Sequence, residues 1–294
     1  MYPQPCLISV DNSVQRNCCY ISVLSTDSYL DGIMVLYHSL MRTGTDYPFL
    51  LLISDSVSEE SRKVLSNCGI EYKLMQCTIE NPTAIAKDDH WAFTYSKLDI
   101  FSQTQYDKIV FLDADMLIVK NIDELFDKPH MSAVNAGGML PEYRHWTGLN
   151  SGLMVIEPSC ELYRDMLGKV GKIENVEKGG DQDFLQAYYP DWDGCQELHL
   201  DHGYNMFHCH LDRYRQFGYA IKGGRRPVKV IHYIGSEKPW NLDKKNFIGI
   251  LPYAKRKLKK LISFCSKKPF KDELLLDSLG IWHHLFEENL ASFS

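Results

Sequence analysis

Apolar positions along the first half of this chain alternate between two rhythms. Short runs with little polar interruption occupy residues 19–24, 49–53, 72–75 and 109–112. Such runs predict strands, with those at 49–53 and 109–112 buried. Between them, apolar residues recur at helical spacing. Ile33, Leu36, Tyr37 and Leu40 define a helix over 30–41. Ser58, followed by Glu59 and Glu60, opens another helix that runs to Asn67, because a hydroxyl cap and early acidic residues both satisfy a helix start. Residues 96–101 predict a short helix just ahead of the run at 109–112. Strand and helix in alternation predict a parallel sheet covered on both faces, whose ligands sit at the carboxyl ends of the strands. The second half is less regular. Glycine-marked loops at 136–138 and 147–149 precede a strand over 153–156, a helix over 161–170, a helix opening at Asp181 and a late strand over 228–231 that ends on His232. Residues 1–17 read as a flexible leader, 18–250 as one domain, and 251–294 as a helical tail, basic and then acidic.

The stretch 108–119 carries the first chemistry. Its buried run ends on Asp113-Ala114-Asp115, and a second apolar run, 116–119, follows at once. Carboxylates at a buried strand end are costly without a cationic partner. In extended chain, residues i and i+2 share a side, so Asp113 and Asp115 can converge on one divalent cation. A polar strand end or an Asx-type turn accounts for the same two residues. His232 has a parallel ambiguity, since a histidine ending a buried strand is often structural. The segment after it, with Gly235 and with Lys238 locked before Pro239 and Trp240, suits a metal-bound diphosphate.

Composition narrows the field. The chain has 294 residues, 45% hydrophobic and 24% charged, with a net charge of -6. This is the profile of a globular protein with a substantial core, and its acidic balance argues against a general nucleic-acid partner. Nine scattered cysteines with no Cys-x-x-Cys pair point to reduced thiols and a cytoplasmic setting. The amino terminus carries no signal-peptide pattern, and no apolar stretch is long enough to span a bilayer. The first turn lacks Gly-x-Gly-x-x-Gly, which counts against a dinucleotide site.

Several segments then combine in order: Thr94-Tyr95-Ser96-Lys97-Leu98, Phe111-Leu112-Asp113-Ala114-Asp115, Asn121-Ile122-Asp123-Glu124-Leu125-Phe126, Asn150-Ser151-Gly152, Gly179-Gly180-Asp181-Gln182, Tyr204-Asn205 and His232 through Trp240. Together, over roughly residues 20–242, they resemble glycosyltransferase family 8. The resemblance implies an α/β fold of GT-A type, a Rossmann-like mixed sheet flanked by helices. It implies retaining transfer of a hexose, glucose favoured, from a UDP-sugar to a hydroxyl acceptor. Asp113, Asp115 and His232 would hold Mn2+, with Mg2+ an option, on the UDP diphosphate. The nitrogen donor favours manganese over calcium. Lys238 and the backbone near Gly235 would add donors to the phosphates. Val23, Leu24, Ser25, Thr26 and Tyr29 would line the uracil and ribose, with Tyr29 stacking on the base or serving only the core. Lys97 would lie near sugar and phosphates, or be a surface lysine. Asn150 would lie near the sugar, with Ser151 and Gly152 shaping the turn. Asp181 and Gln182 would sit under the sugar as catalytic residues, and a carboxylate at a helix start is also a plain cap.

Two departures concern the acceptor. Lys178 stands where self-glucosylating members of the family carry an acidic residue. The position of their modified tyrosine is Asp212 here, with Tyr214 two residues on as the substitute for self-glycosylation. A separate glycan or small-molecule acceptor is therefore as well supported as the protein's own tyrosine. Residues 255–271 combine lysines and an arginine with apolar residues, a pattern suited to peripheral contact with an anionic membrane or to a solvated helix face. Residues 272–289 read as a closing helix that packs on the core or on a second subunit of a homodimer.

Overall fold

The computed structural model describes residues 16–76, 79, 81, 94–173, 180–236, 238–241 and 273–291. Most of the leader, Lys178, Gly179, Glu237 and the basic segment 255–271 lie outside the described residues.

In chain order the elements are β1 (Cys18–Leu24), α1 (Leu30–Met41), β2 (Phe49–Ile53), α2 (Glu59–Asn67), β3 (Tyr72–Leu74), a 3-10 segment (Thr94–Ser102), β4 (Lys108–Leu112) and β5 (Met116–Ile118). They continue with β6 (Ala133–Asn135), β7 (Leu149–Ile156), α3 (Cys160–Lys169), α4 (Asp181–Tyr188), β8 (Met206–Phe207), α5 (Leu211–Tyr214), β9 (Tyr219–Ala220), β10 (Arg226–Pro227), β11 (Val230–His232) and α6 (Glu273–Ala291). The main sheet has strand order β3-β2-β1-β4-β7-β6. Its first four strands are parallel, whereas β7 runs antiparallel to both β4 and β6. A smaller sheet has the order β5-β11-β8, with β11 antiparallel to β5 and parallel to β8.

The local rules hold where the pattern was regular. Phe49–Ile53 and Lys108–Leu112 are buried along their whole length. Ser58 caps α2 by accepting the Ser61 N–H at 3.2 Å. Residues 94–102 form a 3-10 segment where an α-helix is expected from the sequence. Every residue from Tyr95 to Ser102 is buried, so this stretch has no solvated face to impose a 3.6-residue period. The polar Asn150-Ser151-Gly152 belongs to β7 itself and does not merely precede it.

Among the described residues, apolar side chains form three clusters. Two lie on opposite faces of the main sheet, one with α1 and α2 and the other with the 3-10 segment, α3 and α4. The third gathers Val35, Leu117, Ile231 and Tyr233 around Leu279, Trp282 and Leu285 of α6. The closing helix thus packs on the body of the same chain.

Candidate active site

The tripeptide Asp113-Ala114-Asp115 is the crossing between the two sheets. β4 pairs with β7 so that Leu112 lies opposite Leu153, and the next residue, Asp113, donates its N–H to the Gly152 carbonyl at 2.8 Å. β5 pairs with β11 so that Met116 lies opposite His232, and the Asp115 carbonyl accepts the Tyr233 N–H at 2.9 Å. The strand registers therefore bring Asp113 beside Asn150-Ser151-Gly152, and Asp115 beside His232.

One ligand atom each from Asp113, Asp115 and His232 lies within 4.8 Å of the others. The imidazole Nε2 faces Asp115 Oδ1 at 3.1 Å and Asp113 Oδ2 at 3.8 Å. Asp115 and His232 are buried, at 8% and 5% exposure. Lys238 donates to Asp115 Oδ2 and, at 2.8 Å, to the Tyr233 carbonyl. Lys97, 9% exposed and so not a surface lysine, bridges Asp113 Oδ1 at 2.9 Å and Asp181 Oδ2 at 2.7 Å. Three carboxylates here face two lysines, which leaves an excess of negative charge. With a mixed oxygen and nitrogen donor set converging on one point, the site fits a divalent transition-type cation.

Electrostatics separate the two aspartates. Burial pushes the Asp113 carboxyl up, and the Asp115 charge adds to the rise against the pull of Lys97. Burial acts the same way on Asp115, but His232 and Lys238 outweigh it and hold that carboxyl well below the usual range. Burial disfavours the charged form of Lys97, yet Asp113 and Asp181 overcome it and keep the ammonium above its ordinary value.

Asp181 and Gln182 open α4 behind the Gly180 cap position. Asp181 Oδ2 also accepts the Ser151 hydroxyl at 2.7 Å, and Gln182 Oε1 accepts from Asn150 Nδ2 at 2.8 Å. Gly152 is more than a turn residue. A Cβ there would fall 2.5 Å from His232 Cε1. Gly235 adopts φ +85°, and a Cβ would meet none of the described residues within 4 Å, so the demand they place on it is conformational.

On the other flank, Ser25, Thr26 and Tyr29 follow the end of β1. The Tyr29 ring meets the Trp240 ring edge-on, with centroids 5.4 Å apart, and lies 5.5 Å from Lys238 Nζ. Leu24 is fully buried and belongs to the apolar cluster on the α1 face of the sheet. Tyr214 lies in the third apolar cluster, 3% exposed, and its hydroxyl accepts the Met139 N–H at 2.7 Å. The oxygen expected to take a sugar is thus enclosed and hydrogen-bonded. Asn205 and Phe207 have no assigned role in the motif reading of the sequence, yet both touch His232. Asn205 accepts from His232 Nδ1 at 2.9 Å, and the Phe207 ring stands edge-on to His232 at 5.8 Å. The polar residue set between aromatics in Tyr204-Asn205-Met206-Phe207 was the available signal.

The family model described as Glycosyl transferase family 8 matches residues 20–244. The chain is 39% identical over 180 residues to inositol phosphorylceramide glucuronosyltransferase 1 of Arabidopsis thaliana, covering 61% of this chain and 32% of that protein. It is 32% identical over 227 residues to glycogenin-1 of Mus musculus, covering 76% and 65% respectively. The chain thus spans about a third of the first relative and just under two thirds of the second. Among solved structures, an active-site mutant of LgtC superposes with TM-score 0.57 at 17% identity, over 79% of this chain and 92% of that one. The bifunctional WbbM apo structure gives TM-score 0.55 at 19% identity, over 79% of this chain and 48% of that one. At these identities the likeness is one of fold, the GT-A arrangement of a mixed central sheet flanked by helices.

Proposed function

The chain belongs to glycosyl transferase family 8, and on that premise we propose that it moves a hexose from a UDP-sugar to a hydroxyl acceptor with retention at the anomeric carbon. The observation that carries this reading is the convergence of half-buried Asp113 with buried Asp115 and His232. These three would hold Mn2+, or Mg2+ in its place. A bound divalent ion would neutralise charge gathering on the departing UDP. Lys238 is anchored by Tyr233 and Asp115, so its ammonium is already ordered for a phosphate oxygen. Ser25, Thr26 and Tyr29 would receive the nucleoside, with Val23 and Leu24 beneath them.

Asp181 and Gln182 would orient the sugar, with Lys97 tying their helix to Asp113. Asp181 already accepts from Lys97 and Ser151, which weakens it as a nucleophile. We therefore favour front-face attack, the phosphate oxygen of the leaving group taking the acceptor's proton, over a covalent intermediate on Asp181. The enclosed hydroxyl of Tyr214 favours a separate glycan or small-molecule acceptor over self-glycosylation.

Glucose is the sugar we favour. A second reading, glucuronate, is supported by the 39% identity to a glucuronosyltransferase. The test is UDP release with UDP-glucose, UDP-glucuronate, UDP-galactose and UDP-N-acetylglucosamine, with Mn2+ and with chelator. Turnover with UDP-glucose or UDP-glucuronate that stops in chelator is expected. Full turnover in chelator would refute the metal assignment. Intact-mass measurement after incubation is expected to show no added hexose, and a hexose on Tyr214 would restore the self-modifying reading.

A further inference from the structure

We infer that Asn205, with Asn150 behind it, is a positioning residue that keeps the proton of His232 on Nδ1 and aims the Nε2 lone pair at the point between Asp113 and Asp115. The inference rests on the metal reading proposed above, but its evidence is a hydrogen-bond polarity set by the backbone. The Gly152 N–H can only donate, and it faces Asn150 at 3.0 Å, so that side chain presents Oδ1. The same Oδ1 lies 2.7 Å from Asn205. Asn205 must therefore turn its amide nitrogen toward Asn150, which leaves its own Oδ1 facing His232 Nδ1 at 2.9 Å. An amide oxygen accepts only, so Nδ1 carries the hydrogen.

The far end of the chain agrees. With Oδ1 of Asn150 committed, its Nδ2 donates to Gln182 Oε1 at 2.8 Å, and the Ser151 N–H points at that oxygen at 3.3 Å. Two backbone donors on β7 thus impose one consistent sense on Gln182, Asn150, Asn205 and His232. Burial protects the sense, since Asn205 is 3% and Asn150 8% exposed. Without Asn205, the ring could carry its proton on Nε2 and present no lone pair to a cation. A hydrogen-bond partner on the non-ligating nitrogen is what fixes a metal-binding histidine in one tautomer.

The direct test is 15N–1H correlation of the His232 ring in wild-type protein, with and without Mg2+ and UDP. Nδ1 is expected to read as protonated in both states. A ring protonated on Nε2 alone would overturn the inference. Two substitutions add a binding readout, Mn2+ titration by electron paramagnetic resonance in the presence of UDP. Asn205→Leu removes both hydrogen bonds and is expected to weaken Mn2+ on the order of 10–100-fold. Asn205→Asp keeps an acceptor at Nδ1 but gives up the donor to Asn150, and is expected to recover part of that affinity. Equal losses in both folded variants, or no loss in Asn205→Leu, would overturn the proposal. If a variant does not fold, the wild-type tautomer decides. Wild-type protein that fails to bind Mn2+ would refute the metal reading and leave the tautomer result standing.

Discussion

Gly152 has no room for a side chain, because a Cβ would approach His232 Cε1 to 2.5 Å and Nδ1 to 2.9 Å. Gly152→Ala must therefore displace the imidazole or bend β7. We expect it to weaken Mn2+ binding by at least about tenfold, the scale of effect when a ligand's orientation is lost, with far-UV circular dichroism unchanged. Affinity equal to wild type would mean that the ring is not held where the strand register puts it. Lys97 raises a different issue. It is the buried cation between Asp113 and Asp181, so Lys97→Met leaves two carboxylates facing each other without compensation. Removing one partner of a buried ion pair costs about 3–5 kcal/mol. A urea midpoint that stays in place for this variant without added metal would contradict the arrangement.

α6 reaches the candidate site through aromatic rings. Trp282, 1% exposed, lies 5.9 Å from Trp240 between ring centroids, and Trp240 in turn meets Tyr29. Trp240 also closes over α1, since a Cβ on Gly32 would lie 2.9 Å from its ring. The segment holding Lys238 is thus wedged between α1 and α6. Trp282→Ala opens a cavity of the kind that costs about 3–5 kcal/mol. It should also weaken UDP binding at temperatures where the fold is intact, and Trp282→Phe should restore much of both. A loss of thermal midpoint with unchanged UDP affinity would limit α6 to a structural role. Elements of this kind differ in how legible they are. β2 and β4 could be read directly because burial on both faces leaves an uninterrupted apolar run. The 3-10 segment could not, because a segment buried all round carries no period.

The whole molecule closes its third apolar cluster only with Leu279, Trp282 and Leu285 of α6. Dividing the chain into a domain over 18–250 and a tail would cut this cluster. A chain ending at residue 272 is expected to lose roughly 1.5–3 kcal/mol for each of these three buried side chains. The thermal midpoint should fall by about 10 °C or more, and scanning fluorimetry with size-exclusion chromatography would measure it. An unchanged midpoint would make α6 an appendage. Among the described residues, no helix is long and apolar enough to cross a membrane. The sequence by itself determined the alternating α/β plan, the Ser58 cap of α2 and the identity of the acidic pair, because these depend on local periodicity and residue chemistry. His232 and Lys238 could also be picked out, through the ordered set of motifs. Only the tertiary structure decided how they meet. Asp113 belongs to the register of one sheet and Asp115 to that of another, and register depends on partners distant in the chain. The burial of Lys97 and Tyr214, the proton sense through Asn205 and the seat of α6 followed the same rule. Each is a contact between segments whose separation along the chain leaves no periodic trace.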